Sequence, residues 1–280
     1  MQYFKHFPLL IFGLLCLPGL YAQQASLPHH YVCMQATDAI LIDGEMEPAW
    51  ESAAWSEAFQ DIRGGNMPSP LWNTRMKMLW DSTHLYLFAE LEEPHLWATM
   101  TTRDDTIWFD NDFEVFIDPE GDGIHYFELE INALGTEFDL FLPKPYNQGG
   151  IADIGWDIQG LDVALSLHGT LNDPRDVDRG WALEIAIPWQ SLSHPLQEAV
   201  LPRAGDTWRM NFSRVQWHLQ PTDTGYVKKT DASTGKTLPE ENWVWSPQGV
   251  INMHIPEHWG YVQFAMPPGA LPEKGKDARE

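Results

Sequence analysis

The chain has 280 residues, a formal net charge of −23, 44% hydrophobic and 12% aromatic residues, and two cysteines. So acidic a surface repels phosphate, which argues against nucleic acid and anionic membranes as partners. The length suffices for one large domain with its own core.

At the start, Lys5 precedes an apolar run from Leu9 to Leu20 that is too short to span a bilayer, and Leu20 and Ala22 sit before a plausible cleavage point. Residues 1–22 therefore read as a signal peptide, which places the protein in the periplasm, at the cell surface or outside the cell. A lipoprotein anchor at Cys16 would want a small residue before it, where this chain has Leu15. Beyond the signal, an N-terminal leader is expected over 23–36, a β domain over 37–266 and a disordered tail over 267–280. No later segment is long and apolar enough to cross a membrane. Cleavage leaves Cys33 alone, so the fold must stand on its core without an intrachain disulfide.

Along the domain, Pro48 at a first helical position predicts about two turns over 48–55. Met76, Met78 and Trp80 then alternate with Arg75, Lys77 and Leu79. After the polar turn Asp81-Ser82-Thr83-His84, Leu85, Leu87, Ala89 and Leu91 share one face, which predicts a β-hairpin. Further period-two stripes are Phe113, Val115 and Ile117; Phe127, Leu129 and Ile131; Phe138, Leu140 and Leu142; Trp181, Leu183, Ile185 and Ile187; and Trp208, Met210 and Phe212. One short turn of helix is predicted over 188–192, and Tyr261 to Phe264 closes the domain. Many strands with almost no helix predict an all-β fold, an antiparallel β-sandwich with long loops over 143–160 and 218–250. Glu114, Glu128, Glu130, Arg209 and Asn211 fall on the polar faces of these strands. If the strands are neighbours, they form a charged row, whose plainer reading is a solvated sheet face.

Trp108 stands four residues before the strand Asp112 to Pro119. An indole beside acceptor carboxylates suits a sugar: the ring offers a platform to the C–H face of a pyranose, and the carboxylates accept bonds from its hydroxyls. The plainer reading of any one of the 14 tryptophans is core packing.

Several segments, in order, resemble the family 9 carbohydrate-binding modules. They are Ile42-Asp43-Gly44-Glu45-Met46-Glu47-Pro48-Ala49-Trp50, the hairpin through Trp80-Asp81 and Leu85-Tyr86-Leu87, the strand Asp112 to Pro119, the run Gly180-Trp181-Ala182-Leu183-Glu184-Ile185-Ala186-Ile187-Pro188-Trp189, and Trp259-Gly260. The resemblance implies a β-sandwich that binds sugars at chain ends between two tryptophans, with calcium as a structural ion. It places Trp108 at the first stacking position and Glu114 on a carboxylate that hydrogen-bonds the sugar. Glu128 and Glu130 stand where the family has two further polar contacts, and an arginine found there is missing. Met253 stands where the second stacking tryptophan is expected, so Trp243 or Trp245 from the long loop is expected to close the other face of the sugar.

For metals, Asp118, Glu120 and Asp122 lie within a Gly-rich turn and are the expected calcium ligands, although a plain acidic hairpin explains them too. Asp104, Asp105, Asp110 and Asp112 make a second acidic cluster beside Trp108. The histidines lack zinc spacing, His254 and His258 being interrupted by Pro256. Haem through Met253 and His254 finds no Cys-x-x-Cys-His motif to support it. The expected function is carbohydrate binding in polysaccharide catabolism, with Trp108, Glu114, Glu130, Trp243 and Trp245 as ligand contacts. A glycosidase on the same scaffold, drawing its acid pair from Glu114, Glu128 and Glu130, is the competing reading. A purely structural or partner-binding module is the third.

Overall fold

A computed structural model of the chain describes residues 27–65 and 67–269; the expected signal peptide and residues 270–280 of the expected tail lie outside them. The strands are β1 (His30–Gln35), β2 (Gln60–Asp61), β3 (Thr74–Trp80), β4 (His84–Glu92), β5 (Asp112–Asp118), β6 (Tyr126–Asn132), β7 (Glu137–Leu142), β8 (Asp162–His168), β9 (Gly180–Pro188), β10 (Thr207–Gln216), β11 (Leu219–Pro221), β12 (Tyr226–Lys228), β13 (Glu241–Val244) and β14 (Gly260–Ala265). Hydrogen bonds join most of them in the order β7-β6-β5-β10-β14-β1-β3-β4-β9-β8, with β13 on β10 and β2 on β13. This ladder curls over so that its two halves face each other as a sandwich. The predicted inward stripes of β5, β6 and β10 meet those of β3, β4 and β9 in one core cluster. Burying one face of each strand fixes the register, since a slip by one residue would turn every apolar side chain outward.

All five predicted stripes belong to strands, and the 75–91 hairpin is β3–β4, paired from Thr74 opposite Leu91 to Trp80 opposite Leu85. Helix is shorter than the sequence predicts. Only a 3-10 turn forms over Pro48–Ser52, because Ala53 turns extended, and another over Trp189–Ser191. The expected leader is also corrected. His30–Gln35 is a strand in the middle of the sheet, parallel to both β14 and β3, with Tyr31 and Cys33 buried. The stretch 218–250 holds β11, β12 and β13 and is no continuous loop.

The first and fourth segments of the family resemblance meet in space. Glu184 on β9 accepts hydrogen bonds from Trp50 Nε1 at 2.8 Å, Asp43 N at 3.0 Å and Gly44 N at 3.1 Å. Gly44 has φ +83°, and a Cβ there would lie 2.8 Å from the carbonyl carbon of Leu165 on β8. The glycine lets the chain hug the sheet edge. Between the two layers, the fully buried Arg214 of β10 pairs with Glu93 at 2.9 Å and also donates to Thr74 and Gln216.

Candidate functional site

On the outer face of β5, β6 and β7 lies a cavity of about 560 Å³. Its position follows from register. Phe113, Val115 and Ile117 point into the core, so Glu114 and Phe116 point out. Across the ladder Glu114 sits opposite Glu130, and Phe116 opposite Glu128. The cavity is thus lined by Glu114, Glu128 and Glu130, by the apolar Phe116, Phe138 and Leu140, and by side chains from outside the strands, Trp108, Tyr146, Met253 and His254 among them. Trp108 comes from the 3-10 turn Ile107–Phe109, Tyr146 from the turn Tyr146–Gln148, and Met253 and His254 from the segment before β14.

Trp108 is 37% exposed, unlike most tryptophans of the chain. Its ring rests edge-on against Phe138 at 5.5 Å, and its carbonyl accepts a hydrogen bond from Trp217 Nε1 at 2.9 Å. The backbone is thereby held while part of the ring stays open. His254 is wedged against Tyr146 at 4.5 Å and Phe116 at 5.9 Å. Burial lowers its pKa to about 4, so the ring is neutral at pH 7. Its Nδ1 lies 3.0 Å from Tyr126 Oη. With that hydroxyl donating, Nε2–H is left on the side of Glu128 Oε2, 3.9 Å away.

The carboxylates are the unusual feature. Glu114, Glu128 and Glu130 are all at most 5% exposed, and each has a buried oxygen with no hydrogen-bond partner in the protein. Buried polar groups are normally paired, and such exceptions point to a function. Asp112 adds a fourth acid behind them, with one oxygen bonded to Val215 N and the other unpaired. One oxygen each of Asp112, Glu114 and Glu130 lie within 4.8 Å of one another. Unit charges about 5 Å apart repel by roughly 3 kcal/mol at an effective dielectric near 20. Burial raises the Glu114 pKa to about 7. Glu128 and Glu130 are pushed well above the carboxylate range by burial and then by the charge of Glu114. Asp104 and Glu240 also line the cavity, and among the described residues no Lys or Arg does.

Of the residues expected from sequence, Trp108, Glu114 and Glu130 come together here. Trp243 and Trp245 do not, which corrects the expectation that either closes the site. They are 1% and 0% exposed, inside the core between the layers. Trp243 packs on Trp72 and under the Arg214 guanidinium, and Trp245 on Phe212. Being two residues apart, they share a face of the chain, and that face is the inner one; Val244 between them faces the cavity side. Glu128, which the family resemblance set beside Glu130, lines the cavity too, and so do Tyr146 and His254, which were not among the expected contacts. Period-two alternation already put Glu128 beside Glu130, whereas no local pattern brings Tyr146 and His254 here.

The turn expected to hold calcium is arranged as follows. Among the described residues, Asp118, Glu120 and Asp122 do not converge on one point. Asp118 is fully buried, and its two oxygens accept from Gly121 N and Gly123 N at 2.8 Å each, so it is occupied in shaping the turn. The second acidic cluster disperses. Asp110 binds the amides of Thr99 and Met100, and Asp105 that of Thr106, while Asp112 lies behind Glu114. Asp104 joins Asp139 and Asp157, but the Arg103 guanidinium already lies among them, 2.6 Å from Asp139, 3.2 Å from Asp157 and 3.7 Å from Asp104.

No curated protein matches the sequence. A carbohydrate binding module family 9 from Caldicellulosiruptor kristjanssonii in complex with cellotriose is similar in structure, with a TM-score of 0.54 at 15% identity over 87% of this chain and 98% of that one. The same kind of module in complex with glucose gives 0.52 at 15% over 86% and 98%. A candidate carbohydrate-binding protein from Bacteroides uniformis ATCC 8492 gives 0.59 at 17% over 84% and 99%. At these identities the likeness shows the fold. In sequence, residues 42–204, more than half of the chain, match the carbohydrate family 9 binding domain-like profile, and the chain belongs to that family.

Proposed function

We propose that this protein binds carbohydrate in the cavity above β5 and β6, with Trp108 stacking on a sugar ring and Glu114 and Glu130, joined by Glu128, accepting bonds from the ligand. The observation that carries this reading is the set of buried carboxylate oxygens without partners beside a half-open indole. Hydroxyl and amino groups of a sugar are the donors such oxygens need, and the apolar wall matches a pyranose C–H face. The cellotriose and glucose bound by the structural relatives are the first ligands to try. Each hydrogen bond to a charged group contributes about 1.5–3 kcal/mol net, and the stack about 1 kcal/mol beyond its area, so a modest affinity is expected.

The role is that of a non-catalytic binder acting on polysaccharide after export. The apolar run before Ala22 supports export. Cys33, fully buried with its thiol pKa raised by burial, would stay inert in an oxidising compartment. The test is titration of glucose and cello-oligosaccharides while following tryptophan fluorescence. Saturable quenching that Trp108→Ala abolishes is expected; undiminished binding by Trp108→Ala would remove the site.

A further inference from the structure

The cavity gathers more acidic side chains than a neutral sugar needs. Five acidic side chains line it, and among the described lining residues there is neither Lys nor Arg, while its one histidine is held by Tyr126 and Phe116. Of the five acids, Asp104 has the Arg103 guanidinium 3.7 Å away, shared with Asp139 and Asp157, whereas the arginines nearest Glu114, Glu128 and Glu130 along the strands are engaged elsewhere. Arg209 donates to the carbonyls of Pro256 and Glu257 and stacks on Tyr261, and Arg214 is on the inner face with Glu93. Hydroxyl donors would fill the unpaired lone pairs of Glu114, Glu128 and Glu130, yet would bring no positive charge to offset the burial and mutual repulsion that disfavour the ionised carboxylates. A ligand that brings its own positive charge corrects both faults at once, and a cation beside the open face of Trp108 gains further attraction from the ring.

We propose that the site selects carbohydrates that carry a free, protonated amino group, such as 2-amino-2-deoxyhexoses and their β-linked oligomers, with the ammonium among Glu114, Glu128 and Glu130. The inference rests on the carbohydrate reading above and deepens it. An ammonium has three donors, which matches the three unpaired oxygens, one from each carboxylate. A pyranose ring places such a group next to an apolar face, as the juxtaposition of the acids with Trp108, Phe138 and Leu140 requires.

The test compares three trisaccharides of one linkage by calorimetry at pH 6.5 with the whole protein: β-1,4-linked glucosamine, cellotriose and the N-acetylated glucosamine trimer. Glucosamine and glucose differ at C2 only by amine against hydroxyl, so that pair is decisive. The amine-bearing trimer is expected to bind at least tenfold more tightly than cellotriose, unchanged in EDTA, and N-acetylation should remove the advantage. Glu130→Gln or Glu128→Gln should bring the ratio of amine to hydroxyl affinities close to one, whatever each does to the affinity for cellotriose itself. Equal affinities that Trp108→Ala reduces in common would overturn the amine preference and leave the carbohydrate site standing. A preference that disappears in EDTA would overturn it in favour of a divalent cation among the acids. If no sugar of the three binds, both readings fall together. The amine-to-hydroxyl comparison needs no variant, so a misfolded Glu→Gln protein does not blunt the result.

Discussion

Trp108 and Trp243 have the same side chain and opposite duties, and exposure separates them: one is 37% exposed at the cavity and the other 1% exposed in the core. Trp108→Ala should abolish sugar quenching yet cost less stability than emptying a core site, about 1–2 kcal/mol, since more than a third of the residue is exposed. Trp243→Ala should cost about 3–5 kcal/mol, the usual range for emptying a buried tryptophan site, while any protein that remains folded binds sugar as before. Urea unfolding and fluorescence titration of both variants check this double dissociation, and loss of affinity in folded Trp243→Ala would return that residue to the site. Alternation in the sequence showed that Glu114 and Glu130 share a polar face, because one buried face per strand suffices to deduce the other. It could not show which face of β13 is inner. That depends on β13 pairing with β10, where Trp243 lies opposite Arg214, a contact between segments about thirty residues apart. Met253 does line the cavity, as its place in the family pattern suggested, and it brings a flexible thioether where a flat ring would stack.

At the scale of elements, the segment around Asp43 and Gly44 is tied to β9 by one carboxylate. Glu184→Ala would strand Trp50 Nε1 and two backbone amides, and should cost roughly 3 kcal/mol or more, measured by denaturant midpoint. Glu184→Gln, which keeps one acceptor, should recover part of that loss; if both variants match wild type, the tie is idle. The β5–β6 turn makes a comparable case. Asp118→Ala frees the amides of Gly121 and Gly123, with an expected cost of about 2 kcal/mol that is the same in calcium and in EDTA. A calcium-dependent cost would instead revive the metal reading of that turn. Strands with a strict apolar alternation were legible in the sequence, and so was the β3–β4 hairpin with its polar turn. β1 was not, since it is a six-residue strand whose neighbours β14 and β3 are both remote in sequence and parallel to it. The edge strand β8 was also hidden: it is mostly half-buried or exposed, so its pattern lacks a clean apolar face.

For the whole molecule, net charge of −23 and a buried acidic floor make stability a function of pH with a definite sign. Glu114 has a folded pKa of about 7, raised from its ordinary 4.5, and burial also raises Glu128, Glu130 and Asp112. A raised carboxylate pKa means that the folded state holds a proton the unfolded chain has already released. Its contribution is therefore complete below about pH 4.5 and is lost as pH climbs through the folded value near 7. His254 acts in the other direction, its pKa being lowered from 6.5 to about 4, so it penalises folding only below about pH 6.5. Facing Glu114 across the ladders are Glu130 on β6 and Ser213 on β10, so no neighbouring strand supplies it with a cation. Between about pH 6.5 and 8, then, the carboxylates act without opposition from His254, and the melting temperature of the ligand-free protein should fall steadily. Glu114→Gln removes one titrating acid and the repulsion it exerts on Glu128 and Glu130. It should melt close to wild type at pH 5 and above it at pH 8, with a flatter profile between. Thermal scans at pH 5, 6.5 and 8 decide the matter: a wild-type midpoint that rises toward pH 8, or a Glu114→Gln profile parallel to wild type, would mean that the floor carries no strain for a ligand to relieve.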